Sequence, residues 1–220
     1  DLAALRVDGT ESQHLQIEAM KLAFADVYRF VAEPASMEVT SAQLLDPAYL
    51  ASRAKLIDMH RAQDFGHGNP VKGGTIYLST ADERGMMVSF IQSNYMGFGS
   101  GVVIPEYGVS LQNRGHGFSL DVESPNVVAP GKRPFQTIIP AFLTKDGAPQ
   151  MSFGVMGGNM QPQGHLQTLV RLLDYRQNPQ AACDAPRWRF DAGLSLDVDP
   201  EMPRETVQGL VDLGHRIVPL

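Results

Sequence analysis

A threonine preceded by two glycines stands at the start of an apolar stretch, Lys72-Gly73-Gly74-Thr75-Ile76-Tyr77-Leu78-Ser79. A threonine hydroxyl is a good nucleophile only when a base takes its proton, and cleavage before Thr75 would free an α-amino group to act as that base. Because Gly74 has no Cβ, its backbone can take the conformations that attack of the Thr75 hydroxyl on the Gly74 carbonyl requires. The stretch predicts self-cleavage between Gly74 and Thr75, which makes Thr75 an N-terminal nucleophile. A glycine turn that leads into a strand is the alternative.

A second pair of glycines, Gly157-Gly158, lies between an expected strand and an expected helix. Successive glycines can direct their backbone N–H groups at one point, which is a common way to build an oxyanion hole. The N-terminus of the following helix would add positive potential there. A tight strand-to-helix turn explains the same pattern without any catalytic role.

Two further segments combine polar side chains with glycines. Residues 90–101 run from an apolar strand into Ser93, Asn94 and Tyr95 and then into a glycine-spaced loop. These side chains would point into a cleft near Thr75, or the segment is a glycine-rich bend at a sheet edge. In residues 111–118, Arg114 either clamps a substrate carboxylate or, as we slightly favour, bonds loop carbonyls.

The composition is that of an ordinary globular protein and excludes several classes of function. The chain has 220 residues, 43% hydrophobic and 19% charged, and it fits one large domain or a piece of a larger protein. A net charge of −6 without a Lys/Arg cluster argues against a nucleic-acid partner, and no apolar run is long enough to span a membrane. Cys183 is the single cysteine, and no His/Cys spacing predicts a metal site. The compartment stays open.

The order of the expected elements predicts an α+β protein. Helices are expected at 12–32, 49–60, 165–176, 180–184 and 204–213, with a loop at 62–72. Strands are expected at 76–81, 86–92, 102–105, 109–112, 138–144, 150–155, 194–198 and 216–218. Asp146-Gly147 predicts a tight turn between the strands at 138–144 and 150–155. Helices followed by antiparallel hairpins and more helices fit two stacked sheets covered by helices. The apolar run 86–91 suggests a strand that is buried on both faces.

Several of these stretches, taken in order, resemble the γ-glutamyltranspeptidases. They are residues 74–82, 98–101, 130–134 and 157–158, together with the helix at 12–32 and the segment 174–187. The resemblance covers essentially the whole chain. It implies a four-layer αββα sandwich of the N-terminal nucleophile hydrolase type, made as a proenzyme. Residues 1–74 would be the C-terminal part of the large subunit and 75–220 most of the small catalytic subunit, both within one domain. The remainder of the large subunit would be a partner.

The resemblance also implies roles for individual residues. Thr75 matches the nucleophile, and Gly157 and Gly158 match the oxyanion-hole pair. Ser93 stands where the family has a threonine that bonds to the nucleophile. Asn113 matches an asparagine that lines the site. Gln136 and Thr137 take the places of two serines that hold the α-carboxylate of the substrate.

Two positions depart from the family pattern near the expected substrate pocket. Tyr95 replaces an asparagine that contacts the glutamyl group, and Gly117 replaces an aspartate that pairs with the substrate α-ammonium. Losing that charge partner should weaken γ-glutamyl binding. Arg114, next to these positions, would instead favour an acidic acyl group without an α-amine.

The preferred interpretation is a γ-glutamyltranspeptidase-like enzyme without a cofactor, acting on glutathione or another small γ-glutamyl amide and more a hydrolase than a transferase. The alternative keeps the fold and the nucleophile, but the substrate is an amide with an oxamate-like or cephalosporin-type acyl group. A third possibility is a non-catalytic fragment in which Gly74-Thr75 is only a turn.

Overall fold

The computed structural model describes residues 1–66 and 74–219. The chain divides into two compact units. The first unit combines the two ends of the chain, residues 1–70, 123–126 and 166–220, and the second holds residues 71–122 and 127–165. Among the described residues, no helix has both the length and the apolar character needed to cross a bilayer.

The long helix α1, Thr10–Phe30, organises the first unit. Ile17, Met20 and Phe24 are spaced three and four residues apart, so they lie on one face of the helix. That face packs into a buried core with Trp188 and Leu196. The helix predicted at 12–32 is therefore confirmed, with both ends displaced by two residues towards the N-terminus.

Shorter helices complete the helical part of the first unit: α2 Ser41–Leu44, α3 Pro47–Ala54, α5 Pro179–Asp184 and α6 Arg204–Asp212. Helix α3 begins two residues before the predicted residue 49, because the Asp46 side chain accepts a hydrogen bond from Tyr49 N and Pro47 occupies the first turn. It ends earlier than the predicted residue 60. The chain turns after Ala54, and Gln63 Oε1 accepts a hydrogen bond from Asp58 N at 3.0 Å.

A three-stranded sheet contributes the rest of this core. Strand β7, Trp188–Phe190, pairs antiparallel with β8, Ser195–Val198, which pairs parallel with β9, Arg216–Pro219. Strand β7 was not predicted, because three residues after a proline carry too short a pattern. Its tryptophan is nonetheless 1% exposed and donates from Nε1 to the Gln13 side chain at 3.0 Å.

The second unit is built from antiparallel hairpins. Strand β1, Gly74–Ala81, pairs with β2, Met87–Tyr95; a small hairpin joins β3, Val103–Ile104, to β4, Val109–Ser110; and β5, Ala141–Lys145, pairs with β6, Ala148–Phe153. The predicted Asp-Gly turn is confirmed, since Asp146 and Gly147 both have positive φ, 53° and 79°. The predicted loop at 62–72 is described only to residue 66, and Lys72 and Gly73 lie outside the described residues.

Strand β2 differs from its prediction. Val88 and Phe90 are 46% and 50% exposed, while the residues that alternate with them are partly buried. The expectation of burial on both faces is therefore wrong in the chain that the structure describes, because nothing covers this apolar face. The mixed α+β composition is confirmed, and the four-layer stacking remains a prediction.

Helix α4, Met160–Leu169, begins in the second unit and ends in the first, and a wider turn at Val170–Asp174 extends it. It starts five residues before the predicted residue 165. The early start tolerates Pro162, because the N–H groups of the first helical turn have no intrahelical acceptor. The first turn is instead bonded to the preceding glycines: Met160 N donates to Gly157 O at 3.1 Å, and Gln161 N donates to Gly158 O at 3.0 Å.

Candidate active site

A β-bulge places Thr75 against two residues of β2. The pairing of Gly74 with Tyr95 changes register to Ile76 with Gln92, so the single residue Thr75 faces both Ser93 and Asn94. Thr75 Oγ1 donates to Ser93 Oγ at 3.2 Å. The serine hydroxyl thus lies next to the candidate nucleophile.

The backbone of Tyr95 is held by the same serine. Tyr95 N donates to Ser93 Oγ at 2.8 Å, and Tyr95 has a φ of +71°, in the left-handed region that non-glycine residues seldom adopt. The Arg114 guanidinium lies 4.1 Å from the centre of the Tyr95 ring, within the range of a cation–π contact.

Arg114 links three segments of the second unit. It begins the short 3₁₀ turn Arg114–Gly117 and is 4% exposed. Its Nε donates to Phe135 O at 3.1 Å and its Nη2 to Thr137 Oγ1 at 2.6 Å. These bonds are the loop contacts expected of a structural arginine, and they also fix the direction of the guanidinium.

The Gly157-Gly158 turn connects β6 to α4 in a conformation that needs glycine. The φ angles are +114° and +59°, and Gly158 is buried. Their carbonyls accept hydrogen bonds from the first turn of α4. Within the described chain neither N–H donates to an acceptor.

A small cavity of about 80 Å³ brings together most of the predicted site residues. The predicted residues on its walls are Thr75, Ser93, Tyr95, Arg114, Gln136, Thr137 and Gly158. They come from segments up to 83 residues apart in sequence, between positions 75 and 158. Arg114 is the one charged side chain among the described residues of these walls.

Asn113 and Gly157 lie beside the cavity without lining it. The Asn113 amide holds the loop after β2: Nδ2 donates to Met96 O and Gly99 O at 3.1 and 3.2 Å, and Oδ1 accepts from Met96 N at 3.0 Å. The structure therefore gives Asn113 a part in shaping the loop. Its contact with a substrate stays a prediction.

The sequence profile of the family described as gamma-glutamyltranspeptidase matches residues 1–219. The chain belongs to the γ-glutamyltranspeptidase family. The resemblance inferred from the sequence is thus confirmed, and so is the α+β fold of this group of N-terminal nucleophile hydrolases.

Two curated members of the γ-glutamyltranspeptidase family are each 35% identical to the chain. One is a glutathione hydrolase-like YwrD proenzyme of Bacillus subtilis (strain 168), in which the alignment covers 99% of this chain and 42% of the relative. The other is an oxamate amidohydrolase proenzyme of Klebsiella pneumoniae subsp. pneumoniae, with 96% and 40% covered. The chain therefore spans about two fifths of the length of these relatives.

A solved structure in this group is also similar over almost the whole chain. It is the crystal structure of a cephalosporin acylase from Bacillus halodurans, 51% identical, with a TM-score of 0.89. The match covers 98% of this chain and 39% of that chain. The relatives thus include proteins named for different acyl groups.

The cavity also contains three residues that sequence reasoning missed: Gln112, Ile138 and Gln161. Gln161 is 1% exposed, and its Oε1 accepts from Ile139 N at 3.2 Å. One sequence signal was present. Gln161, Gln163 and Gln167 are three glutamines within one helix that also carries apolar residues, and all three are buried. Buried amides in a short helix favour specific hydrogen bonds.

A separate cluster in the first unit has the composition of a metal site. The candidate ligand atoms of His14, Glu18 and His215 lie within 4.8 Å of one another, although the two histidines are 201 residues apart in sequence. These atoms already have hydrogen-bond partners. His14 Nδ1 and His215 Nε2 are 2.7 Å apart, and the Lys21 ammonium donates to Glu18 Oε1 at 2.7 Å. An ion would have to displace Lys21, so we interpret the cluster as a structural hydrogen-bond network.

Proposed function

We propose that this chain forms most of the catalytic centre of a threonine amidohydrolase that cleaves itself between Gly74 and Thr75. The observation that carries the proposal is the bond from Thr75 Oγ1 to Ser93 Oγ at a cavity wall that also includes Gly158. Two of the family members similar to this chain are named as proenzymes, which supports processing of the chain.

The first step makes the nucleophile. Thr75 Oγ attacks the Gly74 carbonyl carbon, and the Gly74–Thr75 amide bond breaks as the threonine nitrogen takes the proton. Water then hydrolyses the ester, which releases the Gly74 carboxylate and leaves Thr75 with a free α-amine and hydroxyl. Residues 1–74 become the end of the large subunit and residues 75–220 belong to the small subunit.

The second step is turnover of a substrate amide. The Thr75 α-amine, whose ordinary pKa is about 7.7–8.0, takes the hydroxyl proton as Oγ attacks the substrate carbonyl. The N–H groups of Gly157 and Gly158 stabilise the oxyanion, the amine leaves with a proton, and water hydrolyses the acyl-enzyme. The α-amine and hydroxyl that Thr75 supplies, with backbone donors, are sufficient for this sequence of steps.

The rest of the protein completes the fold in this proposal. The uncovered apolar face that includes Val88 and Phe90 is where an outer layer of a four-layer αββα sandwich would pack. The remainder of the large subunit is the proposed source of that layer and of further substrate contacts, because relatives are more than twice as long as this chain.

The charge of the cavity favours an acyl group that carries a carboxylate and lacks an α-amine. Arg114 supplies a fixed cation, and no carboxylate of the described chain lines the cavity to pair with a substrate ammonium. Its volume of about 80 Å³ is well below the roughly 300–1,000 Å³ typical of pockets for drug-sized ligands, so it suits a short acyl group. The names of the oxamate amidohydrolase and cephalosporin acylase relatives agree with this choice.

A γ-glutamyl amide such as glutathione is the second candidate substrate. It is supported by the family and by the glutathione hydrolase-like relative. Gln136 and Thr137 also offer polar groups on the cavity wall where the family holds an α-carboxylate. We place it second because Gly117 stands where the family has the aspartate that pairs with the substrate ammonium, and the one charged side chain on the described cavity walls is Arg114.

Intact mass and N-terminal sequencing of the full-length protein test the nucleophile, with Thr75→Ala as the comparison. We expect a small subunit that begins Thr-Ile-Tyr-Leu in the wild type and one uncut chain in the variant. The rates of hydrolysis of oxamate, a glutaryl amide and a γ-glutamyl amide then test the acyl group. An uncut wild type that still turns over substrate would contradict the proposal, and an uncut, inactive one would favour a non-catalytic protein.

A further inference from the structure

Gln161 lies in the first turn of α4, close to both halves of the candidate site. Its backbone N–H donates to Gly158 O at 3.0 Å, and the residue lines the same cavity as Thr75 and Arg114. The residue is only 1% exposed. What surface it has therefore belongs to the cavity wall.

One hydrogen bond determines which way the Gln161 amide is turned. The group 3.2 Å from its terminal oxygen is Ile139 N, and a backbone N–H can only donate. The oxygen is therefore Oε1, and Nε2, with its two N–H donors, is the other end of the amide. Within the described chain, Nε2 has no acceptor. This nitrogen is not among the fully buried side-chain atoms that lack a partner, so what surface it has is open to the cavity that Gln161 lines.

We propose that Gln161 Nε2 is a specificity-determining donor that bonds to a carboxylate oxygen of the substrate acyl group, beside Arg114. The inference rests on the proposed function, because it assumes an acidic acyl group. A primary amide nitrogen donates and does not accept, so it attracts a carboxylate or carbonyl oxygen and gives an ammonium nothing to bind. The site then selects acidic acyl groups through two donors from different elements, the Arg114 turn and helix α4.

The Gln161→Glu variant separates this role from a structural one. A glutamate keeps an acceptor for Ile139 N but loses both donors and adds a negative charge. We expect kcat/KM for a glutaryl or oxamate amide to fall about 10- to 100-fold, the effect of one hydrogen bond to a charged group, mainly through KM. The ratio of γ-glutamyl to glutaryl turnover should rise, since the new carboxylate can pair with the γ-glutamyl ammonium. Self-cleavage should continue.

Gln163→Glu is the matched control for placing a glutamate in this helix. Gln163 is also fully buried, but its Nε2 donates to Asn159 O at 3.0 Å and it does not line the cavity. Both variants are made in the full-length protein. If Gln161→Glu fails to fold, Gln161→Met keeps the size of the side chain without a charge. Its kcat/KM for acidic amides should fall, and its kcat/KM for γ-glutamyl amides should not rise.

Three outcomes would overturn the inference. Unchanged KM values for acidic amides in Gln161→Glu would remove the donor role and leave the proposed function intact. An equal fall in kcat for every substrate, with slower self-cleavage, would assign the amide to the oxyanion instead. A wild type that hydrolyses γ-glutamyl amides and no acidic ones would reject the acidic acyl group itself, and that failure belongs to the proposed function.

Discussion

Ser93 Oγ accepts two hydrogen bonds, from Thr75 Oγ1 at 3.2 Å and from Tyr95 N at 2.8 Å. One hydroxyl therefore orients the candidate nucleophile and also fixes the backbone of a cavity residue. The β-bulge makes this possible, because it sets two residues of β2 opposite Thr75.

Ser93→Ala should slow both self-cleavage and turnover by roughly 3- to 10-fold, the effect of one neutral hydrogen bond. The Thr75 hydroxyl loses its acceptor and Tyr95 N loses its partner. Appearance of the small subunit with time measures the first rate. Ser93→Thr keeps the hydroxyl and should remain close to wild type; an equally slow Ser93→Thr would show that packing, and not the hydrogen bond, sets the rate.

Arg114→Met should raise the KM for an acidic acyl amide, with a loss of about 10²-fold in kcat/KM, because the one charge on the described cavity walls is gone. Arg114→Lys should recover only part of this loss, since an ammonium lacks the planar fork that bonds Phe135 O and Thr137 together. Arg84→Met, in an exposed turn, is the control. Steady-state kinetics on a glutaryl amide decides; an unchanged KM would place the substrate carboxylate elsewhere.

Gly157→Ala should impair both proposed reactions, self-cleavage and turnover, about 10²-fold by distorting the proposed oxyanion turn. Its φ of +114° is disfavoured for any residue with a side chain, and a Cβ there would lie 3.2 Å from Met160 Cβ. Gly131→Ala, at φ +69° with nothing within 4 Å of the added Cβ, controls for alanine at a positive φ. Processing and single-turnover rates measure the effect, and wild-type rates in Gly157→Ala would argue against this turn as the oxyanion site.

The buried histidine network predicts a pH effect on stability. Lys21 Nζ donates to His215 Nδ1 at 3.4 Å, so His215 must donate from Nε2 to His14 Nδ1, and His14 from Nε2 to Asp58 O at 2.9 Å. Burial, followed by the electrostatic effects of Lys21 and His14, lowers the pKa of His215 to about 3. The folded protein therefore keeps His215 neutral over a range in which the unfolded chain binds a proton.

Because the unfolded chain binds more protons between pH 6.5 and about 3, the free energy of unfolding should fall as the pH drops through that window, by a few kcal/mol. His215→Gln preserves both hydrogen bonds, with Oε1 accepting from Lys21 and Nε2 donating to His14, but it cannot titrate. Thermal unfolding of the full-length protein from pH 7 to pH 4 should show a smaller loss of stability in the variant than in the wild type. Parallel curves for the two proteins would contradict the assignment.

The parts of the fold that the sequence predicted are those with local causes. Helix α1 follows from its apolar spacing, and the turn at Asp146 and Gly147 follows from backbone preferences of those two residues. Strand β7 was missed because its three residues are specified by packing around Trp188, which involves residues far away in sequence.

The same distinction holds for the candidate site. Thr75 and the Gly157-Gly158 turn were visible from local sequence, and the resemblance supplied Ser93. The position of Gln161 could not be predicted, because its role depends on the backbone of Ile139, 22 residues away. The His14–His215 pair, separated by 201 residues, was equally invisible. Local sequence patterns predict the backbone turns of the site, whereas the partners of buried side chains depend on tertiary packing.

The positive φ of Tyr95 has a consequence for how acyl preference changes during evolution. Asparagine, which the γ-glutamyltranspeptidases usually have at this position, tolerates the left-handed conformation better than tyrosine does. A single exchange between the two residues would therefore alter the cavity wall without moving the backbone of the nucleophile or of Ser93. A change of acyl preference through this residue would leave the bulge that sets Thr75 against Ser93 and Asn94 in place.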